Sequence, residues 1–554
     1  MSAQESPIEA SPKMRASPLP QSVLSCLISA RELSFLQKHI DRLNPTSASP
    51  KREQSPAKQP RKDDILVRDI RHATRVFATV TAAMKIYGAV SRRLNRTYTS
   101  PQTKQRRFNS PVFRVPLSLS TVLLLYRLLF RFLSKLRLSL LDSKPTSEWR
   151  SIERKSPRTA SALTSRYAPA AGASLAGLAL GICPSQQLRQ SLALTAMFRA
   201  LEFAWDCGED TGMIWGWKKG EKDGEKKPAP RPWWWGSWML QPFVFGQLLH
   251  AAVFDWDCFP TSLGNFAFRF SAPYLTKTDN LSLEPHQILS VLGETAYQDW
   301  PSATSSSIRL VQQSLRSIPP SLTVAAPTSL PRLPLTSPTS LPCTALHSHH
   351  SCTGALRTFY LRSTPRLARL LLILYSLTLL PRIRNLSPST NPLPTLLRAL
   401  LTRTLRTSLF LSGVISTCWA SICLSQTLLP GHVLPTKRFL LGGFLAGMWA
   451  FVDRKGETSR PLFLYTTRQS SDSLLKVGKK RGWWRRGRKG GLEVGVFVLS
   501  LAVLGVVYER ERMAIRDGMW RGGVGWVRGL EGEGGGRGVG EEKEEDKEGK
   551  EKVL

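Results

Sequence analysis

The chain has 554 residues, of which 42% are hydrophobic, so its length alone would allow several soluble domains. Its 77 basic and 40 acidic residues give a formal net charge of +37, which needs a partner of opposite sign. Nucleic acid and anionic lipid are the two candidates. Because the apolar residues are concentrated in blocks between polar tracts, anionic lipid headgroups are the predicted partner, and no nucleic acid is expected.

The amino-terminal region, residues 1–110, is rich in serine, proline, lysine and arginine and is predicted to be mostly disordered, apart from a helix-compatible stretch over Ile65–Val90. A first membrane half is predicted over residues 111–275. It opens with Leu117–Leu141, where basic residues recur every fourth position beside leucine and phenylalanine. That spacing predicts an amphipathic basic helix, which either lies on anionic lipid, the favoured interpretation, or covers a soluble core. The recurring basic residues are Arg127, Arg131 and Lys135.

A short glycine-rich pattern occurs twice, as Gly172–Gly177 and again as Gly442–Gly447, each inside an apolar stretch. The first copy belongs to a predicted span over Tyr167–Cys183, and the second belongs to a second membrane half predicted over residues 343–510. Small residues spaced by four clear one helix face, so that a second helix can approach closely in lipid. The predicted packing residues are Gly172, Ala173, Gly177, Gly181, Gly443 and Gly447. We therefore predict an all-α, multi-pass helical membrane protein with two related helix-pair halves and disordered termini.

Charged side chains within the predicted membrane helices are functional candidates, because a charge at the bilayer centre is costly. Arg199 and Glu202 are three residues apart and can pair on one helix face. Arg468 lies at nearly the same distance from the second glycine-rich copy as Arg199 does from the first. One alternative function follows, a pore or translocase-like component in which these three side chains line a polar path.

The apolar stretch Gly236–Phe254 contains Gln247 and His250, so it does not read as a plain lipid-facing helix. His250 and Asp255 have a spacing that resembles the acid/base signature of glycerolipid acyltransferases, in which a carboxylate orients an imidazole that deprotonates a hydroxyl. No companion motif for phosphate recognition accompanies the pair, and an interhelical hydrogen bond from His250 would explain it equally well. We expect no enzyme, and a membrane-bound acyltransferase is a second alternative.

The remaining regions are linkers and tails by composition. Residues 276–342 form a predicted serine- and proline-rich linker, and residues 511–554 form a predicted disordered, charged tail. Cysteine and histidine are bunched between Cys343 and Cys352, but their spacing fits no common zinc site. No metal and no other cofactor is predicted.

A dense basic cluster precedes the last apolar run and is interrupted by tryptophan. Tryptophan suits the headgroup level of a bilayer, and each basic residue near an anionic surface adds about 1 kcal/mol of attraction. The cluster therefore predicts contact with lipid headgroups, the alternative being a solvated face. Its members are Lys479, Lys480, Arg481, Trp483, Trp484, Arg485 and Arg486.

Several of these runs together resemble the fungal relatives of transmembrane protein 135, over roughly residues 117–510 without the linkers. The resemblance implies a multi-pass protein of peroxisomes or mitochondria that is linked to lipid handling and organelle dynamics. That family is distantly similar to glycine-rich inner-membrane translocase subunits, and it supplies no catalytic residues. The runs are Leu125–Arg131, Ala168–Gly177, Gly246–His250 with Phe259 and Pro260, and Gly443–Gly447 with Phe451 and Arg454.

The predicted function is that of a non-enzymatic integral membrane protein of peroxisomes or mitochondria. It would take part in lipid or metabolite handling or in organelle dynamics. The predicted partners are membrane lipids with anionic headgroups, together with further copies of the chain or other membrane proteins.

Overall fold

The computed structural model describes residues 65–94, 110–142, 154–219, 226–275, 285–297, 300, 351–384, 393–454, 459–483 and 491–529. These residues are mostly helical, which agrees with the predicted class, and one two-stranded antiparallel sheet accompanies the helices. The first elements are α1 (Ile65–Leu94), α2 (Pro111–Asp142), α3 (Pro157–Thr164), α4 (Ala168–Ala173), α5 (Gln186–Asp210), β1 (Trp217–Lys219) and β2 (Lys226–Pro228). They are followed by α6 (Gln241–Phe254), α7 (Thr261–Ser271), α8 (Pro285–Tyr297), α9 (Cys352–Arg384), α10 (Leu393–Leu428), α11 (Lys437–Gly447), α12 (Ser459–Lys480), α13 (Leu492–Arg510) and α14 (Gly518–Arg528).

Three helices are long and apolar enough to cross a membrane. They are Pro111–Leu141 within α2, Pro394–Leu428 within α10, and Leu492–Arg510, which is α13. The glycine-rich stretch Ala168–Ile182 is apolar but shorter than the predicted span. An α-helix needs about 20 apolar residues to cross the hydrocarbon core.

Both glycine-rich helices continue into a 3-10 helix, which begins within the first copy at Ser174 and directly after the second copy at Met448. α4 continues as a 3-10 helix over Ser174–Ile182, and α11 continues as one over Met448–Asp453. A 3-10 helix has three residues per turn rather than 3.6, so residues four apart no longer share a face. The predicted face of small residues therefore extends through α11 but is interrupted after α4.

Local sequence signals set several helix ends. α5 begins after Pro184, where the Ser185 hydroxyl accepts a hydrogen bond from the Leu188 amide at 3.3 Å. α14 begins at an Asp517 cap and ends at Gly529, whose φ of 81° is the left-handed conformation that glycine adopts without a Cβ penalty.

A buried ion pair joins α1 to α2. Arg127 and Asp69 are both fully buried and meet at 3.1 Å, and Arg131 donates to the same carboxylate at 3.0 Å. The Arg127 Nε also donates to the Val527 carbonyl of α14 at 3.3 Å. The interfacial interpretation of this basic helix is therefore wrong for Arg127, because its guanidinium is neutralised inside the protein rather than turned to lipid.

The order of helices along the chain repeats. The pair α1 and α2 is followed by glycine-rich α4, by α5, by α6, by a 3-10 turn over Trp256–Cys258, and by α7. This first repeat also contains the short helix α3, strands β1 and β2 and a 3-10 turn over Ser237–Leu240, which have no counterpart among the described elements of the second. The pair α9 and α10 is followed by glycine-rich α11, by α12, by α13, by a 3-10 turn over Arg512–Ala514, and by α14. Each repeat thus runs from a pair of long helices to an 11-residue closing helix.

Each compact unit contains the first helices of one repeat and the last helices of the other, which we call the exchange. The first unit comprises residues 1–229 and 490–554, so it combines the start of the first repeat with α13 and α14. The second unit, residues 230–489, combines α9 to α12 with α6, α7 and α8. Within each unit, the glycine-rich helix packs against an apolar helix of the other repeat, α13 in the first unit and α6 in the second.

The compact units differ from the predicted halves for this reason. Residues 241–271, predicted in the first half, pack in the second unit, and residues 492–510, predicted in the second half, pack in the first. The predicted linker also contains α8, which packs against α6 and buries Ile288, Leu289 and Leu292. Residues 511–529, predicted to belong to the disordered tail, instead form the 3-10 turn Arg512–Ala514 and α14, whose Gly525 and Arg528 are buried. The remaining predicted disorder, at residues 1–64, 95–109 and 530–554, lies outside the described residues.

Division of the chain between residues 325 and 326 tests the exchange. Fragments 1–325 and 326–554, co-expressed with a tag on one of them, are expected to co-purify in mild detergent, because each unit needs helices from both fragments.

The matched control pair consists of fragments 1–229 and 326–489, which lack the exchanged helices α6 to α8, α13 and α14. Its yield of co-purified partner should fall at least tenfold. Equal recovery of the two pairs would contradict the exchange.

Candidate functional site

The second unit is organised around a close crossing of α6 and α11. A Cβ placed on Gly443 would lie 2.8 Å from the Gly246 Cα, and one placed on Gly447 would lie 2.5 Å from the carbonyl carbon of Gln241. From the other side, a Cβ on Gly246 would lie 2.9 Å from the Leu440 carbonyl oxygen. No side chain larger than hydrogen fits at these three positions, so the two backbones are in direct contact.

The first glycine-rich copy packs less tightly. A Cβ on Gly177 would meet three side chains of α13, Phe497, Val498 and Leu501, at 3.0–3.2 Å. Gly172 faces the Leu133 side chain of α2, and Ala173 is fully buried. Gly181 has nothing within 4 Å, because the 3-10 geometry turns it away from the face that Gly177 occupies. The role predicted for Gly181 does not match its surroundings.

Polar side chains join α6 to α12 beside the crossing. The fully buried Gln241 donates to the Phe463 carbonyl at 3.2 Å and accepts from the Thr466 hydroxyl at 2.7 Å. Six residues later, Gln247 accepts a hydrogen bond from the Ser470 hydroxyl at 2.8 Å and donates one to the Ser473 hydroxyl at 3.1 Å. The predicted polar residue Gln247 thus has hydroxyl partners. Gln241, another polar residue of the apolar stretch Gly236–Phe254, is the more deeply buried of the two glutamines.

His250 and Asp255 do not form a hydrogen-bonded acid/base pair. The Asp255 carboxylate is buried and accepts from Arg481 at 2.6 Å, with Lys480 at 3.5 Å. The His250 ring instead packs on Phe254, with a centroid separation of 4.8 Å. Burial and the nearby positive charge of Arg481 lower the pKa of His250, which favours the neutral imidazole.

The basic residues at the end of α12 are partly used inside the second unit. Lys480 donates to Asp257 at 3.1 Å, and this hydrogen bond raises the pKa of Lys480. With Arg481 paired to Asp255, two of the predicted headgroup contacts have intramolecular partners. Lys479 and Trp483 are exposed. Trp484, Arg485 and Arg486 lie outside the described residues, as do the cysteine and histidine residues between 343 and 350.

The predicted polar path is divided between the two units. Arg199 and Glu202 form the expected pair at 2.8 Å in the first unit, where the guanidinium also lies 5.4 Å from the centre of the Trp520 ring. Arg468 belongs to the second unit and lies over Tyr465, at 5.8 Å from the ring centre. The pore hypothesis stays a prediction.

A second polar cluster, which was not predicted from the sequence, lies at the end of the 3-10 helix Met448–Asp453 that continues α11. Asp453 is 1% exposed and accepts from the Thr407 hydroxyl of α10 at 2.9 Å and from Ser459 of α12. Tyr375 of α9 donates to the same Thr407 at 3.2 Å. Burial raises the pKa of Asp453. A lone carboxylate directly after the apolar run Phe439–Val452 is the signal that could have revealed it.

Replacement of Gly447 by leucine tests the crossing. Gly447→Leu places a side chain into the α6 backbone and should destabilise the second unit by more than the 1–3 kcal/mol typical of overpacking. Gly181→Leu is the control, because its side chain enters open space. Thermal unfolding of the purified full chain in detergent should show a lower midpoint for Gly447→Leu alone, and equal midpoints would contradict the contact.

Comparison with known proteins adds no relative from which a function could be transferred. No family model matches the chain, and neither a curated protein nor a solved structure matches it.

Proposed function

We propose that the chain is a non-enzymatic, multi-pass integral membrane protein of a peroxisome or mitochondrion that handles lipids or small metabolites. The observation that carries the proposal is the presence of three helices of spanning length and apolarity, α2, α10 and α13. They are distributed over both compact units, so each unit would have its own attachment to the bilayer.

The short helices support membrane integration through the residues that they leave exposed. At the α6–α11 crossing the glycines face inward, while Phe243 is 70% exposed, Leu440 49% and Leu445 46%. Soluble monomers rarely leave extended apolar patches in water. Lipid acyl chains would cover such a surface, and the polar contacts of Gln241 and Gln247 would remain shielded on the opposite side.

The non-enzymatic part of the proposal draws on the surroundings of Asp255. An acid/base dyad needs the carboxylate to orient the imidazole. Asp255 is held by Arg481 and Lys480 instead, which leaves His250 without that support. The organelle and the lipid or metabolite role draw on the resemblance to the transmembrane protein 135 family.

A pair of lysine substitutions tests membrane integration. Leu499 in α13 is 66% exposed and Met519 at the start of α14 is 79% exposed, so in a water-soluble protein a lysine would be harmless at either position. In a bilayer only Leu499→Lys places a charge among acyl chains, at a cost of about 2.5–3.5 kcal/mol on insertion scales. We expect the wild type and Met519→Lys to stay in carbonate-washed membranes and Leu499→Lys to be recovered there in reduced amount.

Release of the wild-type chain by carbonate, or identical behaviour of the two lysine variants, would contradict membrane integration. The organelle is tested separately by co-localisation of a tagged full-length chain with peroxisomal and mitochondrial markers. The proposed handling role predicts that cells without the chain show an altered lipid or metabolite composition of that organelle, restored by the wild type. An unchanged composition would contradict it.

A further inference from the structure

Three arginines of the second unit lie near the buried Asp453 in space or next to it in the chain, and none has an ion-pair partner among the described residues. The positive charges of Arg403 and Arg406, on α10, both act on the Asp453 carboxylate, and Arg454 follows it directly in the chain. In the first unit, by contrast, Arg127 and Arg131 both form ion pairs with Asp69. The second unit therefore carries an excess of positive charge at this place.

Several polar groups here are buried and have no hydrogen-bond partner among the described residues. They include Nε of Arg403, Nη1 of Arg454 and the hydroxyl of Thr404, a residue that is 5% exposed. A buried donor that lacks a partner costs about 1–3 kcal/mol, and more when it is charged. Such groups are satisfied when a ligand with several acceptor oxygens binds.

Aromatic rings hold two of the guanidinium groups in place. The Arg403 Cζ lies 4.1 Å from the centre of the Tyr375 ring, and the Arg454 Cζ lies 3.9 Å from that of Phe451 and 5.2 Å from that of Trp233. Stacking on a ring fixes the plane of the guanidinium, so that its N–H donors keep a fixed direction within that plane. Guanidinium groups recognise phosphate through paired N–H donors.

The Asp453 carboxylate does not cancel this preference for anions. It is turned toward the Thr407 and Ser459 hydroxyls, which donate to it, and burial favours its neutral form. Even an ionised Asp453 balances only one of the three arginines.

The length of α10 places these arginines near a bilayer surface. The helix has 36 residues, or about 54 Å at 1.5 Å per residue, whereas the hydrocarbon core is about 30 Å thick. Counting about 20 residues back from its end at Leu428 reaches Leu409. Arg406 and Arg403 come just before that point, at the level where phospholipid phosphates lie.

We propose that Arg403, Arg406 and Arg454 form a binding site for a phosphate group, supplied by the headgroup of a membrane phospholipid. The lipid source rests on the membrane integration proposed above, whereas recognition of the phosphate does not. A water-soluble phosphate ester offers the same oxygens and is the other source to be distinguished.

Binding to the purified full-length chain in a neutral detergent tests the site. The probe is dihexanoyl phosphatidic acid below its micelle concentration, with bound lipid counted by native mass spectrometry. The double variant Arg403→Gln/Arg406→Gln should lower its affinity at least tenfold. The control Arg366→Gln/Arg369→Gln makes the same change of charge on exposed positions of α9 and should lower it less than twofold. Equal losses in the two variants, or no loss in the first, would overturn the proposal.

Three further measurements complete the test. Dihexanoyl glycerol, which has no phosphate, should bind weakly and without dependence on the arginines, and binding as tight as that of the phosphatidic acid would overturn phosphate recognition. Glycerol 3-phosphate that binds as tightly as the lipid would uphold the phosphate site and overturn its lipid source.

Arg454→Gln is the second variant, used if the double variant elutes as aggregate, and an unaltered affinity of Arg454→Gln for the phosphatidic acid would then overturn the site. Carbonate extraction of the wild type reports on membrane integration independently of all these results.

Discussion

Backbone contact between α6 and α11 is the constraint on which the second unit depends. Gly246, Gly443 and Gly447 present no side chains at the crossing, so carbonyl groups and Cα atoms of the two helices meet directly. The approach brings α6 near enough to α12 for both of its glutamines to bond to hydroxyls. Van der Waals contact of this kind remains favourable in lipid, where burial of apolar surface between helices gains little.

The buried aspartates of the two units have different partners. In the first unit Asp69 is matched by two guanidinium groups, and removal of one member of such a pair costs about 3–5 kcal/mol. In the second unit Asp453 is held by two hydroxyls, and nearby arginines keep donors without partners among the described residues. Related helix orders therefore give one buried aspartate that is paired with arginines and one that is held by hydroxyl groups.

The sequence allowed the helical class, the two glycine-rich copies and the Arg199–Glu202 pair to be predicted, because these depend on local spacing. It did not reveal that α6 and α13 change places, since the order of helices along the chain is the same with or without the exchange. The site around Asp453 was missed for a related reason. Its members come from α9, α10, α12 and the end of the α11 segment, and no short motif contains them.

The exchange of α6 and α13 also sets the time at which the first unit can be completed during synthesis. α5 ends at Asp210, yet Leu504, Val507 and Tyr508 of α13, which pack on its Phe203, are made about 300 residues later. At about 5–20 residues per second, roughly 15–60 s pass between these events. Throughout that interval α5 and the first glycine-rich segment lack their apolar partner, so translation rate fixes how long the first unit stays open to aggregation.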